Sequence, residues 1–296
     1  MAISITPAIL DRYRRYSRFN SPYRAHDDGS AIDLYPVGAT APSPVSGVVR
    51  ETRTVGCPDR SYAADEDHLI VVDLDAAWCR QADAPPGTVA RILHVVPAVE
   101  AGERVTVGDP LGELTRSGFF GRWVDNHVHL GFRSPEANPI RASGSLPVTA
   151  AVDVEPVAWD GTGVVAERGP THVVLDEPSH PAPGERFAAI ASDEGVPLDG
   201  GLTHYAGGGA FGEQSLRDGT ALSLRGSRVG VARGRGIAWD DVAVVANGER
   251  ATGLSLFAAR DGVGAKVVWR DPPVGVGDDV RIEIVSDDDP VRLGGR

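Results

Sequence analysis

The stretch "DNHVHLGFR", residues Asp125 to Arg133, sets two histidines on either side of a valine and runs on into apolar residues. Apolar and polar positions alternate, which is the period of a β-strand, so His127 and His129 share one face about 7 Å apart along the chain. Two imidazoles held side by side are either a coincidence or part of a metal site, and the choice turns on whether further ligands exist. Working upstream, the same texture recurs in "AIDLYPV", "PVSGVVRETRTV", "HLIVVDLD", "TVARILHVV" and "ERVTVGDPLGEL". These are short β-branched runs broken by Gly, Pro and Asp, whereas long 3.6-period apolar patterns are scarce. The fold class predicted is all-β. The exception is "RYRRYSR", Arg12 to Arg18, which reads as the solvated face of a short N-terminal helix.

Downstream, "SPEANPIRASGSLPVTA" (Ser134 to Ala150) carries Pro, Gly and Ser without periodicity and marks a domain boundary. The predicted organisation is one domain over residues 1–140 and a second β-rich domain, sandwich-like, over 150–296. Within the second, "AWDGTGVVA" from Ala158 is echoed by "AWDDVAVVA" from Ala238, 80 residues later. The echo suggests a duplicated β unit with Trp159 and Trp239 as equivalent core residues. "HYAGGGAFGEQS" (His204 to Ser215) lacks the ending of a phosphate loop and reads as a flexible loop.

The chain has 296 residues, 42% hydrophobic and 24% charged, as expected of globular domains with apolar cores. It holds 41 acidic against 29 basic residues, and Lys266 is the sole lysine. An acidic, Arg-for-Lys composition points to a high-GC genome and a salt-rich, halophile-like cytoplasm, where carboxylates keep a surface soluble. Without a basic stripe, nucleic acid is not an expected partner. No apolar run has the length of a signal core or a membrane span, so the expectation is a cytoplasmic protein without a membrane partner. Cys57 and Cys79 have no CxxC spacing and read as buried free thiols.

Of the eight histidines, His68, His172, His180 and His204 read as ordinary hydrogen-bonded residues. The others form a set. His26 precedes a short acidic Gly loop, and Asp33 begins a strand. His94 falls late in "TVARILHVV", which is followed by "AGERVTVGDPLGEL" and then by the HxH strand. In that order the elements resemble the M23 (lysostaphin-type) zinc metallopeptidases, with their HxxxD motif, a downstream strand histidine, a GxxVxxGxxIG turn and a terminal HxH strand. The resemblance covers about residues 20 to 133. It implies an antiparallel β fold of the barrel-sandwich hybrid kind. It also implies Zn2+ held by His26, Asp33 and His129, with His127 and His94 as catalytic histidines. Three protein ligands leave the fourth position of a tetrahedral zinc open, the arrangement of a catalytic site, and neutral imidazoles beside it can move the proton of an attacking water.

Three features depart from the family pattern. Six residues separate His26 from Asp33 where the motif has three, so Asp27 or Asp28 competes as the carboxylate ligand. Ile92 stands two before His94 in place of an aromatic residue. The family's peptidoglycan or glycine-rich substrates lie outside the cell, yet no export signal is present. The expected function is zinc-dependent hydrolysis of an amide bond in a peptide or peptide-like substrate. The alternative is a β scaffold, M23-like or lipoyl-like, that binds without catalysis; "APSPVSGVV" (Ala41 to Val49) fits that style, but no lysine occupies the carrier turn.

Overall fold

The computed structural model describes residues 2–141, 143–212 and 216–293. The period-2 pattern resolves into a nearly all-β chain with large curled sheets in a two-domain organisation. Two compact units form, one from residues 1–16 and 29–152, the other from 17–28 and 153–296. Among the described residues no helix is long and apolar enough to cross a membrane.

The first unit runs through β1 (Ile3–Ile5), α1 (Pro7–Leu10), β2 (Tyr13–Ser17), β3 (Ala31–Pro36), β4 (Thr40–Pro42) and β5 (Gly47–Gly56), while α2 (Arg24–Asp27), between β2 and β3 in the chain, lies in the segment 17–28 that counts with the second unit. It continues with β6 (Glu66–Leu74), α3 (Ala76–Gln81), β7 (Val89–Leu93), β8 (Val95–Pro97), β9 (Arg104–Val105), β10 (Pro110–Leu114), β11 (Val128–Arg133) and β12 (Val148–Ala150). Its main sheet has the order β2-β3-β11-β7-β6-β5-β9, and a smaller one the order β4-β10-β8.

Antiparallel register sorts the central strands into two chemically distinct faces. Ile32, Leu130, Ile92 and Ile70 stand in one cross-strand row, and all four are fully buried. Leu34 and Val128 extend that apolar face on one side, Phe132, Ala90 and Val72 on the other. The alternate positions, Asp33, His129, Leu93 and Leu69, form the next row and point the opposite way. Slipping one residue would turn the isoleucines out and the histidine in, so burial of the apolar face locks the register that presents Asp33 and His129 together.

Two boundaries differ from the sequence expectation. Arg12 to Arg18 is not a helix face: the only helical turn there is α1, and Tyr13 to Ser17 are strand. Tyr13 and Tyr16 are almost fully buried, and Tyr13 donates its hydroxyl to Pro42 O at 2.8 Å. Burying two aromatic rings on a sheet outweighs the solvation of the arginines between them. The first unit also ends at Val152 rather than near 140, because β12 pairs in parallel with β1, Ile3 opposite Val148. The Gly/Pro/Ser stretch therefore lies largely inside the unit.

In the second unit a twelve-stranded sheet gathers the described strands from Thr162 to Ser286, apart from a short group made by strands 154–157, 187–190 and 258–259. The two AWD echoes flank one strand: residues 162–164 pair with one end of strand 279–286, and residues 242–246 pair along its other side. Trp159 and Trp239 are buried in the same apolar core. The glycine-rich stretch is not a loop throughout, since Gly207–Ala210 is a strand within that sheet. A Cβ on Gly208 would enter the Trp239 indole, and one on Gly209 the Phe19 ring. The glycines let aromatic rings lie directly on the backbone. Residues 213–215 of that stretch lie outside the described residues. Cys57 and Cys79 are free thiols as expected, though only Cys79 is buried.

Candidate metal centre

Asp33 on β3 and His129 on β11 are direct cross-strand partners, and His129 Nδ1 lies 2.9 Å from Asp33 Oδ1. His26, on the single turn α2, completes the group: one ligand atom each from His26, Asp33 and His129 falls within 4.8 Å of the others. His26 Nδ1 is 2.7 Å from Arg18 O. A carbonyl only accepts, so Nδ1 carries the proton and Nε2 is left as the ligand nitrogen. The three residues beyond the family spacing are taken up where α2 ends and Gly29 turns the chain at φ +59 before β3 begins. Asp27 and Asp28 are exposed, and Asp28 pairs with Arg24 at 3.6 Å. Of the three acidic residues, Asp33 is the one that joins the cluster.

His127 stands just before β11. Its Nδ1 lies 2.9 Å from Asp125 O and its Nε2 lies 3.6 Å from Asp33 Oδ1. The same carbonyl logic leaves Nε2 with the lone pair. Burial pushes the His127 pKa down to about 4, the nearby Asp33 carboxylate opposing this and His94 reinforcing it, so the ring is neutral at pH 7.

His94 is not inside a strand as the sequence suggested. It occupies the break between β7 and β8 in the left-handed region at φ +70, a conformation that costs free energy and persists only where surroundings enforce it. Its Nδ1 lies 2.6 Å from Asp67 Oδ2, which also accepts from Ser117 Oγ at 2.8 Å, while Oδ1 accepts from the His68 N–H at 2.7 Å. Burial alone would raise the Asp67 pKa, but the hydrogen bonds and attraction from His94, together with the Ser117 and His68 donors, outweigh it and the carboxyl lies below its ordinary value. An ionised Asp67 only accepts, so the proton sits on His94 Nδ1. The His94 ring centroid is 5.0 Å from that of His127 and 5.8 Å from that of His129.

Residues 4–150 match the family model described as the "Domain of unknown function (DUF8155) N-terminal domain", and residues 155–285 match the corresponding C-terminal domain. The chain carries both DUF8155 domains. No curated protein matches it.

All five residues singled out from the sequence lie within the DUF8155 N-terminal domain. The donor set of two imidazole nitrogens and one carboxylate oxygen suits zinc. Ligand atoms about 2.0–2.1 Å from a tetrahedral zinc lie roughly 3.3 Å apart, close to the 2.9 Å between His129 Nδ1 and Asp33 Oδ1. His26 is further oriented through its second nitrogen, as zinc-binding imidazoles generally are. The residues fit the ion.

Sequence reasoning missed Asp67 and Ser117, which hold His94, and Phe120, whose ring lies 4.7 Å from His127 and 5.1 Å from His94. Asp67 left a readable trace, since it alternates with Leu69 and Val71 on one face of β6, a lone acid at the head of a buried stripe. Ser117 and Phe120 lie in the irregular segment between β10 and β11 and left none. The other histidines stand apart from the cluster; His180, for example, is held between Ala259 O and the Ala182 N–H, each at 3.1 Å.

Proposed function

We propose that the DUF8155 N-terminal domain is a zinc-dependent amide hydrolase of the kind the M23 resemblance implies, acting on a peptide or peptide-like substrate. The convergence of His26, Asp33 and His129 within 4.8 Å, beside two further imidazoles, supports this reading above all else. Bound by those three residues, zinc would supply a Lewis acid and bring the pKa of a coordinated water towards neutrality. The remaining chemistry belongs to the chain. His127, neutral and with its Nε2 lone pair beside Asp33, takes the proton of the water that adds to the carbonyl carbon. That proton then passes to the departing nitrogen as the C–N bond breaks, leaving a carboxylate and an amine. His94, locked by Asp67 as the Nδ1–H tautomer, presents its Nε2 as the second imidazole able to accept and return a proton.

A second reading, a scaffold that holds metal without turnover, is favoured by one observation: His127 is only 2% exposed, under the ring of Phe120. The carrier version of that scaffold fails, because Lys266 is buried in the sheet of the second unit. Metal analysis and peptide hydrolysis separate the two. His129→Ala should lose zinc, whereas His127→Ala should keep it and lose hydrolysis. Equal zinc loss in both variants would show the roles misassigned. Zinc at about one per chain with no cleavage of any glycine-rich peptide would leave the scaffold.

A further inference from the structure

His127 lies just outside the strand ladder. The pairing of β11 with β3 begins one residue later, at Val128 opposite Leu34, and residues 115–127 before it form no strand. The ring is therefore set by its neighbours. Its Nδ1 lies 2.9 Å from Asp125 O, and the Tyr35 and Phe120 rings lie 5.1 and 4.7 Å away, centroid to centroid. Continuing the β3–β11 register by one step puts Tyr35 opposite His127, on the side of the sheet that carries Asp33. Two of these three neighbours, Asp125 and Tyr35, meet the same residue on β2. The Arg15 guanidinium donates to the Asp125 carboxylate across 110 residues of chain, and it lies over the Tyr35 ring, 4.1 Å from the centroid. The arginines of "RYRRYSR" thus divide: Arg14 is exposed, whereas the Arg15 side chain keeps only 13% exposure. Burying that much of a guanidinium is costly unless a carboxylate and an aromatic face meet it. A pair so shielded is screened by salt less than a surface one.

We propose that Arg15 is a positioning residue for His127: by tying the Asp125 carboxylate and lying over Tyr35, it fixes the carbonyl and the ring against which His127 turns its Nε2 towards Asp33. The Asp125 carbonyl only accepts, so while it stays in place the ring keeps its proton on Nδ1 and its lone pair on Nε2, 3.6 Å from Asp33 Oδ1. If the backbone at Asp125 drifts, the ring loses the partner that selects this tautomer and this orientation. A proton acceptor displaced by about 1 Å can cost on the order of 100-fold in rate, even when the change that displaces it is remote from the chemistry. Arg15 touches neither the metal ligands nor a reacting atom; it acts through its two neighbours. The catalytic consequence rests on the hydrolase reading, whereas the orientation of the ring does not.

The test uses the full zinc-loaded chain with isotope-labelled histidine, observed by NMR, and hydrolysis of a glycine-rich peptide. The His127 ring signals are identified by their loss in His127→Ala. The wild type should show His127 as the Nδ1–H tautomer. Arg15→Met, which keeps the length and removes the charge, should turn it into a mixture of both neutral tautomers. The same variant should lower kcat by about 10- to 100-fold with KM and zinc content unchanged. Asp125→Asn approaches the same tie from its other end and should do likewise, so the measurement survives if Arg15→Met fails to fold. Because the two changes break one contact, the double variant should be no worse than the more severe single one. Arg15→Lys should recover part of the loss, since it keeps the charge without the planar fork. Arg14→Met, on the same strand but exposed, should match the wild type. A His127 tautomer unchanged in both single variants overturns the proposal. So do effects that multiply in the double variant, or a fall in kcat matched by an equal loss of zinc. If the wild type cleaves no peptide the hydrolase reading is refuted, and the tautomer alone then decides whether Arg15 positions His127.

Discussion

His94 shows how much of the centre depends on single atoms. It is a non-glycine residue held at positive φ, and what holds it is the 2.6 Å bond to a carboxylate that Ser117 and the His68 N–H also grip. Asp67→Asn preserves the shape but removes the charge that fixes the tautomer. The expected result is a fall of about 10- to 100-fold in kcat with zinc content and KM little changed, the usual scale for losing an orienting partner. A variant with wild-type kcat would show that His94 needs no such anchor. Asp67 also makes a stability prediction. Its folded pKa lies below its unfolded value of about 3.9, so its contribution is fully present above that value and is lost as pH falls through the folded pKa. Urea titrations carried from pH 6 down to about pH 2 should show the wild type losing stability below about pH 4 more steeply than Asp67→Asn.

At the scale of an element, the most revealing strand is Gly207–Ala210, which composition alone assigns to a loop. Its glycines are packing residues: Trp239 and Phe19 occupy the space that side chains at Gly208 and Gly209 would need. Gly208→Val should therefore destabilise by roughly 1–3 kcal/mol or more, the range for overpacking a buried site. Chemical denaturation measures this, and a change within 0.5 kcal/mol, the size of an ordinary surface substitution, would contradict the packing argument. The contrasting element is β11, whose alternation was legible from the start. In both strands the side-chain period is local, but only β11 has side chains with which to display it.

Over the whole molecule, the segment 17–28, which bears His26, counts with the second unit. It is held there by Asp199, which accepts from Ser17 Oγ at 2.5 Å and from the Arg18 and Phe19 N–H groups at 2.7 and 3.2 Å. Burial pushes the Asp199 pKa up to about 6 against those donors. Raised above an unfolded value of about 3.9, this group favours the folded state most below that value, and the contribution disappears as pH rises through 6. Asp199→Asn should accordingly flatten the loss of stability between pH 4 and 6, a flattening that thermal melts across that window detect. A chain truncated after Val152 removes Asp199 altogether and should not retain zinc at one per chain, because His26 then lacks its anchored segment. Stoichiometric zinc in that truncated chain would show that the first 152 residues build the centre alone.

The sequence by itself determined the all-β class, the HxH stretch that leads into β11, and the set from which the cluster is drawn. Each of these is a matter of local periodicity or residue type, which neighbouring residues settle without reference to distant ones. Only the tertiary structure decided that Asp33 rather than Asp27 or Asp28 meets the two histidines, and that Asp67 fixes His94. Those outcomes depend on cross-strand register and on contacts spanning tens of residues, such as the 96 residues between Asp33 and His129. Register is set by burying Ile32, Leu130, Ile92 and Ile70 on the opposite face. The apolar face of the sheet, which takes no part in the chemistry, is what aligns the residues that do.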